Sequence, residues 1–536
     1  MSPRRRLLWL FPLCSLSAGC IAEPPEAPAG SERSVRDNPH LGNSPGSEVL
    51  AGSTLATDGG VADAGSDAVT VSTQMRYYSE GSMEARPGQF ASAPQVLVPQ
   101  ADGTFVTYTG MLDVDGRYVF SNVPKGTYYL KNGSGYVVTD ARDVDVGYDL
   151  LGRADATRVT GVYGAQLQLN LSNLAPWDPA ASFQMVSGEV DLAGAVAYLN
   201  TPPANGATAI ASSEWLDNYT GEMPRFDAAR GDRAWVNQLS TQDAGTLPSD
   251  GGTLEYTAVS RSLYLPPFSF DGSSSIAVPG NMAEPPRTTF PFEWRVSSFL
   301  NQAASVHPQA TVFSSNLSVL PATHGLANGW IGYSGELLSL DLPTGYTDDL
   351  VRRVSFGNPY PATWGLVGQV SHAFRVSIQV PGFNTASNYL YLNQIDQLDR
   401  MIASPMSLRL SPPRELSLDG VSAYTSRMVG SVSPVLAWKP PATGSPTAGY
   451  MVRLYKYARS TSTSLSLRRT RVASFYVGSS VTSLRLPPGI LEPSQNYTLE
   501  VNAVASQGDL SRAPYRSISS LPYYVAPATT SVFFTP

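Results

Sequence analysis

Cysteine is almost missing from this 536-residue chain: it occurs at Cys14 and Cys20 and nowhere after. Downstream of residue 20 there can be no disulfide framework, no cysteine zinc site and no cysteine nucleophile. Folded domains there must hold together by core burial alone, so each needs substantial size. Lysine is nearly as scarce, at Lys125, Lys131, Lys439 and Lys456 only. The stretch 156–412 contains none, which excludes a Schiff-base or Ser–Lys mechanism inside it. Its three histidines, His307, His324 and His372, show no H-E-x-x-H or comparable metal-ligand spacing, and no metal or cofactor is expected. Helical periodicity is also rare, with Ser387 to Ile402 as the one candidate. The net charge of -7 is modest and implies no general attraction to nucleic acid or to an anionic membrane. A hydrophobic content of 42% with 15% charged residues suits globular domains, and the length allows three or four of them.

What is present begins with Arg4, Arg5 and Arg6, then an apolar run from Leu7 to Leu16 broken by Pro12 and Ser15, then Ser17-Ala18-Gly19-Cys20. A positive start, a short apolar run and small residues before a cut site describe an export signal. The run is too short to span a bilayer of roughly 30 Å as a helix. With the cysteine directly after Ala-Gly, the stretch resembles a bacterial lipobox. The resemblance implies a signal peptide over 1–19 that takes Cys14 with it, and Cys20 as the lipid attachment residue. The membrane is then a partner through an N-terminal lipid anchor. The implied location is the cell envelope, and Ile21 in place of an aspartate favours the outer membrane, facing the periplasm or the surface.

Residues 20–69 are mostly Ala, Gly, Pro, Ser, Asp and Glu, without aromatics. Such a segment cannot bury enough surface to offset its ordering entropy, and reads as a disordered tether reaching roughly 40 Å. The Gly42–Gly46 string around Ser44 matches a nucleophile elbow by letter but lacks its strand–turn–helix setting.

From residue 70 to 155 strand signals appear, with turns at Asp102-Gly103, Asp115-Gly116 and Lys125-Gly126. Tyr118 and Phe120 share one strand face, and Tyr128 and Leu130 share another. The run from Asp115 to Leu130 is similar to the carboxypeptidase regulatory-like (transthyretin-like) β-sandwich, a non-catalytic accessory module. Asp113, Asp115, Asp140, Asp143, Asp145 and Asp149 cluster near these turns but miss the EF-hand register; they read as turn caps.

Residues 156–412 read as all-β, one large sandwich or two smaller ones with a seam near 283–287. Leu167, Leu169 and Leu171 alternate, as do Phe292, Trp294 and Val296. Six tryptophans, Trp177, Trp215, Trp235, Trp294, Trp330 and Trp364, are core fillers or sugar-stacking platforms. Glu189 and Asp191 are placed on one strand face about 6–7 Å apart, near a glycosidase spacing. An envelope hydrolase with its site in this region is the alternative to a non-catalytic protein.

Residues 416–520 carry Trp438, Tyr450, Val452, Leu454, Leu491, Pro493, Tyr497, Leu499 and Val501 in an order similar to a fibronectin type III domain. That likeness implies a buried Trp438 and a tyrosine corner at Tyr497. It departs at an Arg/Ser/Thr-rich insertion over 459–471, and residues 521–536 read as a tail. From Gly430 onward ten basic residues face three acidic ones. Lys456, Arg459, Arg468, Arg469 and Arg471 are the candidate polyanion-binding residues; no specific nucleic-acid motif is present. The whole arrangement resembles modular lipoproteins of large-genome Gram-negative bacteria such as myxobacteria. The expectation is an all-β chain of tandem β-sandwich modules that binds polysaccharide or another envelope polyanion, or mediates adhesion, without catalysis.

Overall fold

The computed structural model describes residues 67–196, 199–218, 221–248, 251–383, 385–459 and 467–536. The export signal, Cys20, the Ser44 string and nearly all of the tether lie outside the described residues. What is described is all-β, with short α-helices at Val296–Leu300, Ala303–Val306 and Leu398–Ile402 and single 3-10 turns at Ala228–Arg230 and Ser517–Ser519. None is long and apolar enough to cross a membrane.

The first sandwich sets one sheet, containing Val69–Ser72, Tyr118–Phe120 and Asp143–Asp145, against a second containing Gln95–Pro99, Tyr128–Asn132 and Gly135–Thr139. Period-2 alternation drives Val69, Val71, Phe120, Val96, Tyr128 and Leu130 into the shared core, each fully buried. Four of the six aspartates near its turns are in ion pairs: Arg117 pairs with Asp113 and Asp115, and Arg516, from the C-terminal region, with Asp145 and Asp149.

In the central region Leu167, Leu169 and Leu171 are buried while Gln166, Gln168 and Asn170 between them are exposed. They belong to a core that runs from Ala165 to Met282. The long hairpin Ala234–Thr246 with Thr253–Leu265 contributes Val236 to that core and Trp235, Leu254 and Tyr256 to the next. The helix candidate over 387–402 is corrected. Thr385–Gln397 is a strand, and only Leu398–Ile402 is helical. Leu390 and Leu392 are buried and Tyr389 is exposed, a period of two that a string of large apolar letters disguises.

The C-terminal sandwich faces Arg414–Leu418, Val435–Lys439 and Ser483–Arg485 against Leu467–Gly478, Gly449–Arg459, Asn496–Ala505 and Tyr523–Thr529. Trp438 is buried, edge-on to Tyr450 at 5.2 Å. The backbone N–H of Glu492 donates to the Tyr497 hydroxyl at 2.9 Å, which is the tyrosine corner its spacing implies. The segment 521–536 is not a tail: Tyr523–Thr529 is an interior strand and Phe533–Phe534 pairs beside it.

These sandwiches are not beads on a string. Tyr523–Thr529 also pairs with Thr385–Gln397 of the central region, in the register Asn393↔Val525. On the other side Leu467–Gly478 pairs in parallel with Gly135–Thr139 of the first sandwich, Phe475 opposite Tyr136. One hydrogen-bonded sheet therefore passes through all three regions, covering strand edges that would otherwise invite aggregation. At the second joint Tyr136 stacks on Phe475 at 4.9 Å. Gly135 is needed there, since a Cβ would sit 2.5 Å from the Tyr515 hydroxyl. The excursion 506–522 clamps the joint: Arg516, 9% exposed, donates to Asp149 Oδ1 at 3.0 Å and pairs with Asp145 at 2.7 Å.

Candidate binding face

The basic candidates lie on the hairpin Gly449–Arg459 with Leu467–Gly478, whose connecting residues 460–466 are outside the described set. A bulge at Val472 shifts the register, so that Tyr455 stands opposite Arg471, Tyr457 opposite Arg469, Lys456 opposite Thr470 and Ala458 opposite Arg468. Cross-strand partners share a face and neighbours alternate. The five candidates are thereby divided. Arg459, Arg469 and Arg471 share one face with Arg453, while Lys456 and Arg468 lie on the other, at the end of the row Tyr450, Val452 and Leu454 that fills the sandwich core.

The two faces differ in chemistry. Lys456 is committed to Glu492 at 2.7 Å. On the opposite face Glu500 is the single carboxylate in the row, 3.5 Å from Arg453 and 3.7 Å from Arg469 and receiving the Asn502 amide at 2.9 Å. The Arg469 guanidinium lies over the Tyr455 ring, 3.5 Å from its centroid, and its Nε makes no hydrogen bond. Stacking on a ring fixes the plane of the guanidinium fork; Arg469 and Arg453 are largely buried, with 24% and 11% of their side chains exposed. Burial, seconded by the Glu500 charge, pushes the Tyr455 phenol up, so the ring stays neutral. Arg471 forms no ion pair among the described residues, and Arg459 reaches the edge of the hairpin beside Phe383. Arg453 and Tyr455 were not among the sequence candidates. Their signal was the alternation Arg453, Tyr455, Tyr457, Arg459, which places two cations and two rings on one face.

The catalytic candidates fall differently. Glu189 and Asp191 are not on a strand; they sit in the turn between Ser182–Ser187 and Leu192–Val196, Asp191 in the left-handed region at φ 53°. Each is held by an arginine, Glu189 by Arg233 at 2.9 Å and Asp191 by Arg158 at 3.0 Å. His307, His324 and His372 are dispersed: His307 bonds Ser531, His324 accepts from the Ile331 N–H, and His372 is 2.8 Å from Ser315. The Ser315–His372 pair has the wrong polarity for a nucleophile and base. Trp294 Nε1, a donor only, reaches His372 Nε2 at 3.3 Å. In the neutral ring Nδ1 therefore carries the hydrogen and donates to Ser315, leaving no lone pair for the serine proton. The ring is fully buried and stacked on Phe299 at 4.1 Å, and burial pushes its pKa down to about 3. Among the tryptophans of the central region only Trp215 is substantially exposed, at 47%; the other five fill cores.

The buried imidazole gives a pH prediction. A base whose folded pKa lies below its ordinary value favours the folded state above about pH 6.5, and that contribution is lost as pH falls toward the folded pKa. The stability gap between wild type and His372→Gln should shrink by about 1.4 kcal/mol per pH unit below pH 6. Urea titrations of both proteins from pH 7.5 to 4.5 measure it; a gap independent of pH would contradict the neutral buried ring.

No family model matches the chain, and no curated protein matches it. Among solved structures it is similar to the FN1–FN3 domains of chicken CNTN1, at 10% identity over 67% of this chain and 90% of that one, with a TM-score of 0.13. It is also similar to a tetra-tandem repeat from the extending region of a large adhesion protein, at 11% identity over 85% and 98%, with a TM-score of 0.10. At such scores the likeness says nothing about function, and the all-β sandwich architecture rests on the strand pairing described above.

Proposed function

We propose that this is a non-catalytic envelope protein, anchored by a lipidated Cys20 in the outer membrane, whose fused sandwiches present a polyanion-binding face built on Arg453, Arg459, Arg469 and Arg471. The observation that carries the reading is the row of four guanidinium groups on one face of a hairpin, in which Arg453 and Arg469 are largely buried beside the single carboxylate Glu500 and Arg459 and Arg471 are the more accessible cations. Rows of fixed cations select anionic polymers over neutral ones through the local potential. The ligand class that follows is an acidic or sulfated polysaccharide or a comparable envelope polymer. The internal commitments of Glu189, Asp191 and His372 support the absence of hydrolysis.

The test is binding of the full chain to dextran sulfate and to uncharged dextran under the same conditions. Saturable binding to the sulfated polymer alone is expected. Equal binding to both, or to neither, would overturn the reading.

A further inference from the structure

A cavity of about 300 Å³ opens where the central sheet meets the C-terminal sandwich. Its floor is a row across three hydrogen-bonded strands, Val370 opposite Gln394 and Gln394 opposite Tyr524, with Asp396 two residues further along. The helix Leu398–Ile402 and the linker after it form the wall, bringing Arg400 and Arg409. The linker is stapled to the C-terminal sandwich by the Ser445 N–H, which donates to Arg409 O at 2.6 Å. Gly444 permits this approach, since a Cβ there would lie 2.4 Å from the same oxygen.

None of the charges lining this cavity is in an ion pair among the described residues. Asp396 is 9% exposed and accepts the Gln397 N–H at 2.8 Å, but forms no ion pair among the described residues. Burial pushes its carboxyl up, seconded by the Asp399 charge, while the Gln397 N–H, Arg400 and Arg409 moderate the rise. Arg409 is steadied by one nitrogen, Nη2, on Ser404 Oγ at 2.7 Å and Pro405 O at 3.4 Å. The Arg400 side chain has no hydrogen bond or ion pair among the described residues. Two cations and one desolvated carboxylate line the cavity, with the Tyr524 phenol, the Ser445 hydroxyl and apolar Met401 and Met406.

We infer that this cavity is a second ligand site, separate from the arginine face, which binds a pyranose bearing a carboxylate: a uronic acid or a glycan end that carries one. The two guanidinium groups supply forks for the carboxylate. Asp396 and the Tyr524 hydroxyl meet ring hydroxyls, and the methionines face the C–H side of the ring. A polar set of convergent groups over an apolar base at a domain junction is the usual form of a small-molecule site.

The test is a calorimetric titration of the full chain with D-glucuronate and with D-glucose. A Kd on the order of 1 mM is expected for the acid, from the usual affinity per atom of a small polar ligand, with at least tenfold weaker binding of glucose. Arg400→Gln with Arg409→Gln should abolish the preference. Arg459→Gln with Arg471→Gln should leave it unchanged, and the cavity pair should leave dextran sulfate binding unchanged, so either site can fail without the other. Equal affinity for acid and neutral sugar, or no glucuronate binding at ten times the expected Kd, would overturn the inference, as would glucuronate binding that survives the cavity pair.

Discussion

Arg516→Met should lower stability by about 3–5 kcal/mol, far beyond the usual effect of a surface arginine. The side chain is nearly as long, so the loss is not one of packing volume. What it leaves behind is Asp149, 7% exposed, and Asp145, both with their shared cation gone. Removing one partner of a buried ion pair strands the other charge in a low dielectric, which is the origin of the magnitude. Burial already pushes the Asp149 carboxyl up with Arg516 in place, so in the variant it should rise further and protonate nearer to neutral pH. The damage should also be local. Arg516 ties the 506–522 excursion to the first sandwich, and so the variant should show a separate early transition or a reduced m-value in urea. A single transition shifted by less than 1 kcal/mol would mean that the first sandwich does not depend on the clamp.

Trp294→Ala should be similarly severe. The indole is fully buried, tilted against His372 with its ring centroid 5.4 Å away, and belongs to the largest core. Truncating a buried tryptophan costs about 3–5 kcal/mol through lost burial and the cavity left behind. Trp294→Phe separates the two contributions. It keeps most of the volume but removes the N–H that His372 Nε2 accepts, and should cost about 1–2 kcal/mol. Equilibrium unfolding of both variants measures this, and a phenylalanine variant as damaged as the alanine one would place the hydrogen bond above the packing.

Much of the architecture was legible because its signals are local. Asp115-Gly116 and Lys125-Gly126 turn the chain, the Leu167–Leu171 alternation declares its buried face, and Trp438 with the Leu491–Tyr497 spacing marks a sandwich and its tyrosine corner. The joints were not legible. Gly135–Thr139 and Tyr523–Thr529 look like any half-apolar strand, and nothing in their letters names a partner more than a hundred residues away. The basic hairpin was legible in composition but not in geometry. Whether Arg469 or Arg468 shares the face of Tyr455 depends on the bulge at Val472, and one slipped residue reverses every face. The cavity was invisible for the same reason as the joints. Asp396 and Tyr524 become neighbours only through the pairing of Gln394 with Tyr524.

The measurement that bears most directly on the binding face is the salt dependence of dextran sulfate affinity for wild type and two double variants. Raising ionic strength from 0.15 to 0.5 M shortens the screening length from about 8 Å to roughly 4 Å, and wild-type affinity should fall by at least about tenfold. Arg459→Gln with Arg471→Gln should weaken binding about tenfold at low salt, at roughly 0.7 kcal/mol per exposed charge, and flatten the salt dependence. Lys456→Gln with Arg468→Gln, on the other face, should change neither. If the two pairs of substitutions weaken binding equally, the hairpin acts only through its total charge, and the face that the register assigns is not the binding surface.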